Sequence, residues 1–71
     1  MTTTNELTFP LTDAVVDLTG NRGNAFALLG RVRSAIRKSN HPELADQFVL
    51  DATVGDYDHL LATCFVYVTV N

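Results

Sequence analysis

The shortness of the chain sets the narrowest limit on its fold. Its 71 residues leave room for one domain over positions 1–71, since chains divide into domains of roughly 100 to 200 residues. A domain of this size buries only about 60% of the surface that its unfolded chain exposes, so its own core gives a narrow margin of stability. Self-association would add buried surface, and we therefore expect a homo-oligomer.

Neither a disulfide nor a bound metal is expected to add to the stability of this small core. Cys64 is the single cysteine, so no disulfide can form within the chain. With His41 and His59 it makes three potential metal ligands at wide spacing, which is not a zinc pattern. We expect neither a metal nor another cofactor.

The N-terminus lacks the basic stretch and apolar run of a signal peptide, and no apolar run approaches the roughly 18 residues of a membrane span. These absences predict a cytoplasmic protein that does not enter a membrane. A hydrophobic content of 46% argues against disorder, except in residues 1–5, which we expect to be disordered.

The charges are strongly segregated along the chain. All five basic residues fall between positions 22 and 38, a window without Asp or Glu, while the eight acids flank it on both sides. The basic residues are Arg22, Arg31, Arg33, Arg37 and Lys38. This window is therefore the first candidate surface for an anionic ligand.

Two strands are predicted before this window. Residues 7–11 favour an edge strand or an extended lead-in, because Pro10 cannot donate to a sheet ladder. Residues 12–19 predict a firmer strand, since Val15 and Val16 are β-branched. One face of that strand would carry Ala14, Val16 and Leu18.

Three helices are predicted next. Asn24 is a suitable N-cap for a helix over 25–39, whose apolar stripe consists of Ala25, Leu28, Leu29, Val32, Ala35 and Ile36. A second helix is expected over 42–53, ending before Gly55. Asp56 can cap a short third helix over 57–63.

The last segment, 64–70, predicts a strand because it is β-branched and aromatic throughout. Neither of its faces is strongly polar, so a neighbouring subunit is one candidate cover for the second face. The order of elements indicates an α+β fold: a small antiparallel sheet of two or three strands, with two main helices and one short helix packed on it.

The loop over 19–24 leads directly into the basic helix. Free amides at a helix N-terminus, together with Arg22 and Asn24, suit a phosphate or another anion. The loop lacks the ending of a P-loop and the spacing of a dinucleotide fingerprint. A plain connection between a strand and a helix remains the alternative.

A second candidate lies along one flank of the basic helix, where Phe26, Gly30, Arg33 and Arg37 fall within an arc of about 60°. An aromatic ring, a gap at a glycine and two guanidinium groups suit a base with its phosphates. Alternatively, Phe26 extends the core, Gly30 admits another helix, and the arginines only solvate the surface.

The cluster at positions 56–59 collects two carboxylates, a phenol and an imidazole, but neighbouring helical positions diverge by about 100°. Asp56 as N-cap and Asp58 in the first turn are explained by helix formation alone. Tyr57 remains a candidate for stacking on a ligand. Cys64 is interpreted as a small buried hydrophobe, and the absence of any catalytic motif predicts a protein that is not an enzyme.

Two runs of sequence, 23–33 and 55–61, carry a resemblance. They read Gly-Asn-Ala-Phe-Ala-Leu-Leu-Gly-Arg-Val-Arg and Gly-Asp-Tyr-Asp-His-Leu-Leu, and over about positions 17 to 68 the chain resembles short uncharacterised proteins of phages, plasmids and integrated elements. This resemblance implies a mobile-element origin, hence the host cytoplasm as location, and no particular chemistry.

Two function classes fit these features. The first is a phage-type binding protein that sequesters a nucleotide or a similar anionic small ligand, with a counter-defence role. Its ligand-binding residues would be Arg22, Asn24, Phe26, Arg31, Arg33, Arg37 and Tyr57. The alternative is a protein-interaction module that inhibits a host protein. Binding to DNA or RNA is disfavoured by the net charge of −3, because nucleic-acid binders usually present a basic domain.

Overall fold

The structure is a computed structural model that describes residues 9–17 and 24–71. In chain order it contains β1 (Val15–Val16), α1 (Ala25–Arg37), α2 (Leu44–Ala52), α3 (Tyr57–Tyr67) and β2 (Thr69–Val70). The predicted α+β class is confirmed. The expectations for residues 1–5, for Leu18, for Arg22 and for most of the 19–24 loop lie outside the described residues.

Helix α1 forms where its cap and its apolar stripe predict it. The Asn24 side chain accepts a hydrogen bond from the Ala27 amide at 3.1 Å, which satisfies one of the free N–H groups of the first turn. Leu28, Val32 and Ile36 are fully buried. The helix ends at Arg37 rather than at 39, because the Ser39 hydroxyl and amide both donate to the Ile36 carbonyl.

Helix α2 is shorter than its predicted range of 42–53. It begins at Leu44. Just before it, the carbonyl of Pro42 accepts a hydrogen bond from the Ala45 amide at 3.2 Å. Phe48 and Ala52 are buried as expected, whereas Leu44 is only half-buried and Ala45 takes the inward position beside it. Helix α3 then starts at its predicted cap, with Asp56 accepting from the His59 amide at 2.9 Å.

The prediction of a strand over 64–70 is wrong for its first four residues, since α3 continues to Tyr67. Residues at spacings of three and four face the core along this helix, namely Leu60, Thr63, Cys64 and Tyr67. Burying that single stripe outweighs the strand preference of the β-branched residues between them. Within 64–70, only Thr69–Val70 is a strand.

The prediction of an antiparallel sheet is also wrong. Strands β1 and β2 pair in parallel, with Val15 opposite Thr69 and Val16 opposite Val70. A parallel pair needs a crossover connection, and α1, α2 and α3 together provide it. Within the described part of the predicted range 12–19, only Val15–Val16 is a strand. Ala14 and Val16 are buried while Val15 is exposed, as the predicted faces require.

The lead-in segment does not form a strand over the described residues 9–13. Instead, the Leu11 amide donates to the Val66 carbonyl at 2.9 Å, and the Thr12 amide donates to the Tyr67 carbonyl at 3.1 Å. These two carbonyls belong to the last turn of α3, where the carbonyl groups have no hydrogen-bond donor within the helix. The segment therefore caps the C-terminal end of α3.

A reciprocal pair of hydrogen bonds ties this segment to the α1–α2 loop. The Asp13 amide donates to the side-chain oxygen of Asn40, and the Asn40 amide donates to the Asp13 carboxylate, both at 2.9 Å. The core itself lies between the three helices. No helix of the described residues is long and apolar enough to cross a bilayer.

Candidate functional site

A cleft opens where the first turn of α1, the loop after α2 and the first turn of α3 meet. Its volume is about 230 Å³, which is less than the roughly 300 Å³ of the smallest usual ligand pockets. The cleft can therefore hold a planar ring but not a whole nucleotide. Its lining includes Phe26, Leu29, Thr53, Asp56, Tyr57 and Leu60.

Phe26 and Tyr57 line this cleft together, although 31 positions separate them in the sequence. Phe26 leaves 89% of its surface exposed, so the alternative in which it extends the core does not hold. Tyr57 is half-buried. The structure thus places two of the predicted ligand-binding aromatics in the lining of one opening.

Two helix N-termini border the cleft, and each already has a side-chain cap. Asn24 caps α1 and Asp56 caps α3. The Asn24 side-chain oxygen therefore accepts from the Ala27 amide. Only the side-chain NH₂ of Asn24 can donate to a ligand. Asp56 adds a negative charge at the α3 side of the cleft, so an anionic group would be favoured on the α1 side.

The cations of α1 divide between two sides of the helix. Arg33 and Arg37 follow Phe26 along the flank that faces α2, where the Arg33 guanidinium approaches the Asp46 carboxylate at 3.5 Å. The side chains of this pair are 43% and 82% exposed. An exposed ion pair of this kind contributes at most about 1 kcal/mol.

Arg31 lies on the opposite flank, away from the Phe26–Tyr57 cleft. With Lys38, Ser34 and Asp17 it lines an open groove of about 420 Å³ between β1 and α1. The predicted set of ligand-binding residues is therefore not one cluster. Phe26, Tyr57, Arg33 and Arg37 share one side of the molecule, Arg31 is on the other, and Arg22 lies outside the described residues.

Gly30 lies between Phe26 and Arg33 on the exposed flank of α1. A Cβ added at this position would meet no described atom within 4 Å, so no neighbouring helix of this chain requires a glycine there. Because glycine in a helix costs about 0.5 to 1 kcal/mol relative to alanine, Gly30→Ala is expected to raise the free energy of unfolding by about that amount. Urea denaturation of the two proteins measures the difference.

A polar cluster on the far side of α3 was missed in the sequence. The Tyr67 hydroxyl donates to the Asp51 carboxylate, and the His59 Nε2–H donates to the Asp51 carbonyl at 2.6 Å. Burial, together with the Asp51 carboxylate, raises the pKa of Tyr67 to about 12. The sequence predicts a strand over 64–70, and a strand gives Tyr67 no defined position relative to Asp51.

Cys64 is buried, as the sequence predicts. Burial raises the pKa of its thiol to about 11, so the thiol is protonated and unreactive at neutral pH. Among residues 9–17 and 24–71, no group of three His, Cys, Asp or Glu side chains is placed to hold a metal ion.

Comparison with known proteins gives no relative. No family model matches the chain, and neither the curated proteins nor the solved structures contain a match. The resemblance to phage and plasmid proteins stays a prediction.

Proposed function

We propose that the protein binds a nucleotide or a similar aromatic anion, with the aromatic ring in the cleft against Phe26 and Tyr57. The observation that carries this proposal is the 89% exposure of Phe26 at an opening that it shares with Tyr57. Stacking a base on an aromatic side chain contributes about 1 to 3 kcal/mol. A ring bound in the cleft would also shield Phe26 from water.

The flank of α1 beyond Phe26 supports binding of the anionic part. Arg33 follows Phe26 by seven residues, which is about 10 Å along the helix axis, and a sugar with its phosphates covers that distance. The guanidinium of Arg33 can leave Asp46 for a phosphate at small cost, because their ion pair is exposed. Arg37 lies one turn further along the same flank.

Gly30 supports the same orientation of the ligand. It lies between the aromatic and cationic ends of the flank, and the absence of a side chain lets a sugar or phosphate approach the helix backbone. Glycine at this exposed position has no packing role among the described residues. The glycine lowers the stability of α1, and it gives the ligand access to the helix backbone.

The cleft of one copy encloses only part of such a ligand, so a second copy is the natural source of the remaining contacts. Binding without any chemical conversion would sequester the ligand. In a protein of mobile-element origin, sequestration of a signalling nucleotide would be a counter-defence function carried out in the cytoplasm of the host.

Phe26→Ala is expected to weaken nucleotide binding at least tenfold, because it removes the main stacking surface. The measurement is isothermal titration calorimetry of the purified protein with a panel of linear and cyclic nucleotides. Leu50→Ala is the matched control, since Leu50 is also an exposed apolar residue (68%) on a helix but lies outside the cleft. Its affinity is expected to stay within twofold of the wild-type value.

Two further variants separate the charged contacts from general electrostatics. Arg33→Glu and Arg31→Glu change the net charge equally, but only Arg33 lies on the flank of Phe26, so only Arg33→Glu is expected to abolish binding. Gly30→Ala is expected to lower affinity while it raises stability. If no nucleotide of the panel binds the wild-type protein, or if Phe26→Ala binds as tightly as wild type, the proposal fails.

A further inference from the structure

A second pocket lies between the end of α2 and the middle of α3, on a different face of α3 from the Phe26–Tyr57 cleft. Its volume is about 320 Å³, which falls within the usual range of roughly 300 to 1,000 Å³ for ligand sites. The polar residues that line it are Asp51, His59, Thr63 and Tyr67, and the apolar ones are Val54, Ala62 and Val66. The pocket therefore combines a few polar groups with an apolar wall, as ligand sites do.

The polar side chains of this pocket use their hydrogens within the protein. The Tyr67 hydroxyl donates to the Asp51 carboxylate. The Thr63 hydroxyl donates to the His59 carbonyl at 2.8 Å, and the His59 Nε2–H donates to the Asp51 carbonyl at 2.6 Å. Because a hydroxyl or a neutral imidazole has only one hydrogen to donate, these side chains can offer a ligand only lone pairs.

The imidazole of His59 is held in one orientation. A Cβ added at Gly55 would lie 2.8 Å from both Cβ and Cγ of His59, so the histidine packs directly on the glycine. Its Nε2 faces the Asp51 carbonyl oxygen, which can only accept. The neutral ring must therefore carry its hydrogen on Nε2, and Nδ1 is left as an acceptor.

The charge of the pocket selects the sign of its ligand. Among the described residues that line it, Asp51 is the only Asp, Glu, Lys or Arg. A carboxylate has about four lone-pair sites, of which the Tyr67 hydroxyl uses one. We propose that this pocket binds a small primary alkylammonium ion, with the ammonium group on the Asp51 carboxylate and the alkyl chain against Val54, Ala62 and Val66.

Each part of such an ion has a counterpart in the pocket. The ammonium group brings three donors to side chains that can only accept, and its hydrogen bond to a carboxylate is charge-assisted and therefore strong. The alkyl chain would cover Val54, which leaves 78% of its surface exposed. The volume of the pocket accommodates a whole small molecule, which favours a free amine over a lysine side chain of a protein partner.

The test is a titration of the ¹⁵N-labelled full chain with n-butylammonium chloride at constant ionic strength, followed by two-dimensional NMR. We expect saturable shifts of the backbone amide signals of Asp51, His59 and Thr63. Two comparison compounds separate charge from hydrogen bonding, since n-butanol lacks the charge and n-butyltrimethylammonium lacks the N–H donors. Both are expected to bind at least tenfold more weakly, because neither forms the charge-assisted hydrogen bond.

Variants locate the ion in the pocket. Asp51→Asn removes the charge but keeps an oxygen that accepts from Tyr67, so the fold is expected to persist while affinity for n-butylammonium falls at least tenfold. Asp46→Asn is the matched control, because it removes the same charge from an exposed side chain (82%) of the same helix, outside the pocket. Its affinity should stay within twofold of wild type. Ala62→Leu fills the pocket from the exposed side of α3 without a change of charge and is also expected to weaken binding at least tenfold.

Circular dichroism establishes that each variant is folded. The proposal is overturned if n-butylammonium gives no saturable shift, if either comparison compound binds as tightly, or if Asp51→Asn retains the wild-type affinity. If Asp51→Asn does not fold, Ala62→Leu decides, because wild-type affinity in that variant would place the ion elsewhere. Tighter binding of capped lysine than of n-butylammonium would overturn the assignment to a free amine. None of these results depends on a nucleotide.

Discussion

Replacing Phe48 with alanine is expected to destabilise the protein by about 3 to 5 kcal/mol, which is the usual cost of removing a buried aromatic ring. Phe48 is fully buried, and its ring meets that of Tyr67 edge to face with 5.4 Å between centroids. It lies on α2, which packs against both α1 and α3. The alanine variant would leave a cavity beside Tyr67 in the core.

The effect is large relative to what a chain of this length can lose. Natural domains have about 0.05 to 0.15 kcal/mol of stability per residue, or roughly 4 to 10 kcal/mol here. Urea denaturation followed by far-ultraviolet circular dichroism should show Phe48→Ala mostly unfolded or strongly shifted to lower denaturant. Leu50→Ala on the same helix is the control and should change stability by less than 1 kcal/mol. Equal effects at the two positions would contradict the position of Phe48 in the core.

The helices could be predicted from the sequence because their signals are local. Asn24 and Asp56 each accept a hydrogen bond from the amide three residues later, and this requires only a short polar side chain at the start of an apolar periodic run. The stripe of Leu28, Val32 and Ile36 is read in the same way. These features do not depend on the rest of the fold.

The C-terminal part of the fold could not be predicted in that way. The run from Phe65 to Val70 has the composition of a strand, and an alternation of two fits it as well as a helical period does. The core decides between helix and strand, because Cys64 and Tyr67 continue the buried stripe of Leu60 along a helix. The parallel pairing of β1 and β2 likewise depends on how three helices pack, which no local signal records.

The candidate site was predictable in its components and not in its arrangement. Phe26, Arg33 and Arg37 share a flank because helical periodicity requires it. The approach of Tyr57 to Phe26 depends on α3 starting beside the first turn of α1, which no local signal gives. The same periodicity separates Arg31, which lies about 140° round the helix from Phe26. Clustering of charge along the sequence therefore overestimated the clustering of charge in space.

The protein is expected to lose stability steeply in alkaline solution, because two buried groups hold their protons more tightly in the folded state. The pKa of the Cys64 thiol is raised from 9.0 to about 11, and that of Tyr67 from 10.0 to about 12. Between the ordinary pKa and the raised one, the unfolded chain binds fewer protons than the folded protein. The free energy of unfolding therefore falls as the pH rises through this interval.

The thiol is expected to contribute at most about 2 to 3 kcal/mol of this loss, since one pKa unit corresponds to about 1.36 kcal/mol. The phenol is expected to contribute less, because its hydroxyl bonds to the exposed Asp51 carboxylate and solvent screens that interaction. The stabilisation is complete below pH 9, the thiol component disappears between about pH 9 and 11, and the phenol component between about pH 10 and 12. The measurement is the free energy of unfolding in urea at pH 7, 9, 10, 11 and 12.

Variants assign the two components. Cys64→Ala should remove the loss of stability that begins at pH 9, and Tyr67→Phe should remove the loss that begins at pH 10. Both variants also start from a lower stability at pH 7. Cys64→Ala loses buried contacts, and Tyr67→Phe loses the hydrogen bond to Asp51. A double variant, Cys64→Ala with Tyr67→Phe, that still loses stability as steeply as wild type would show that other groups cause the alkaline unfolding.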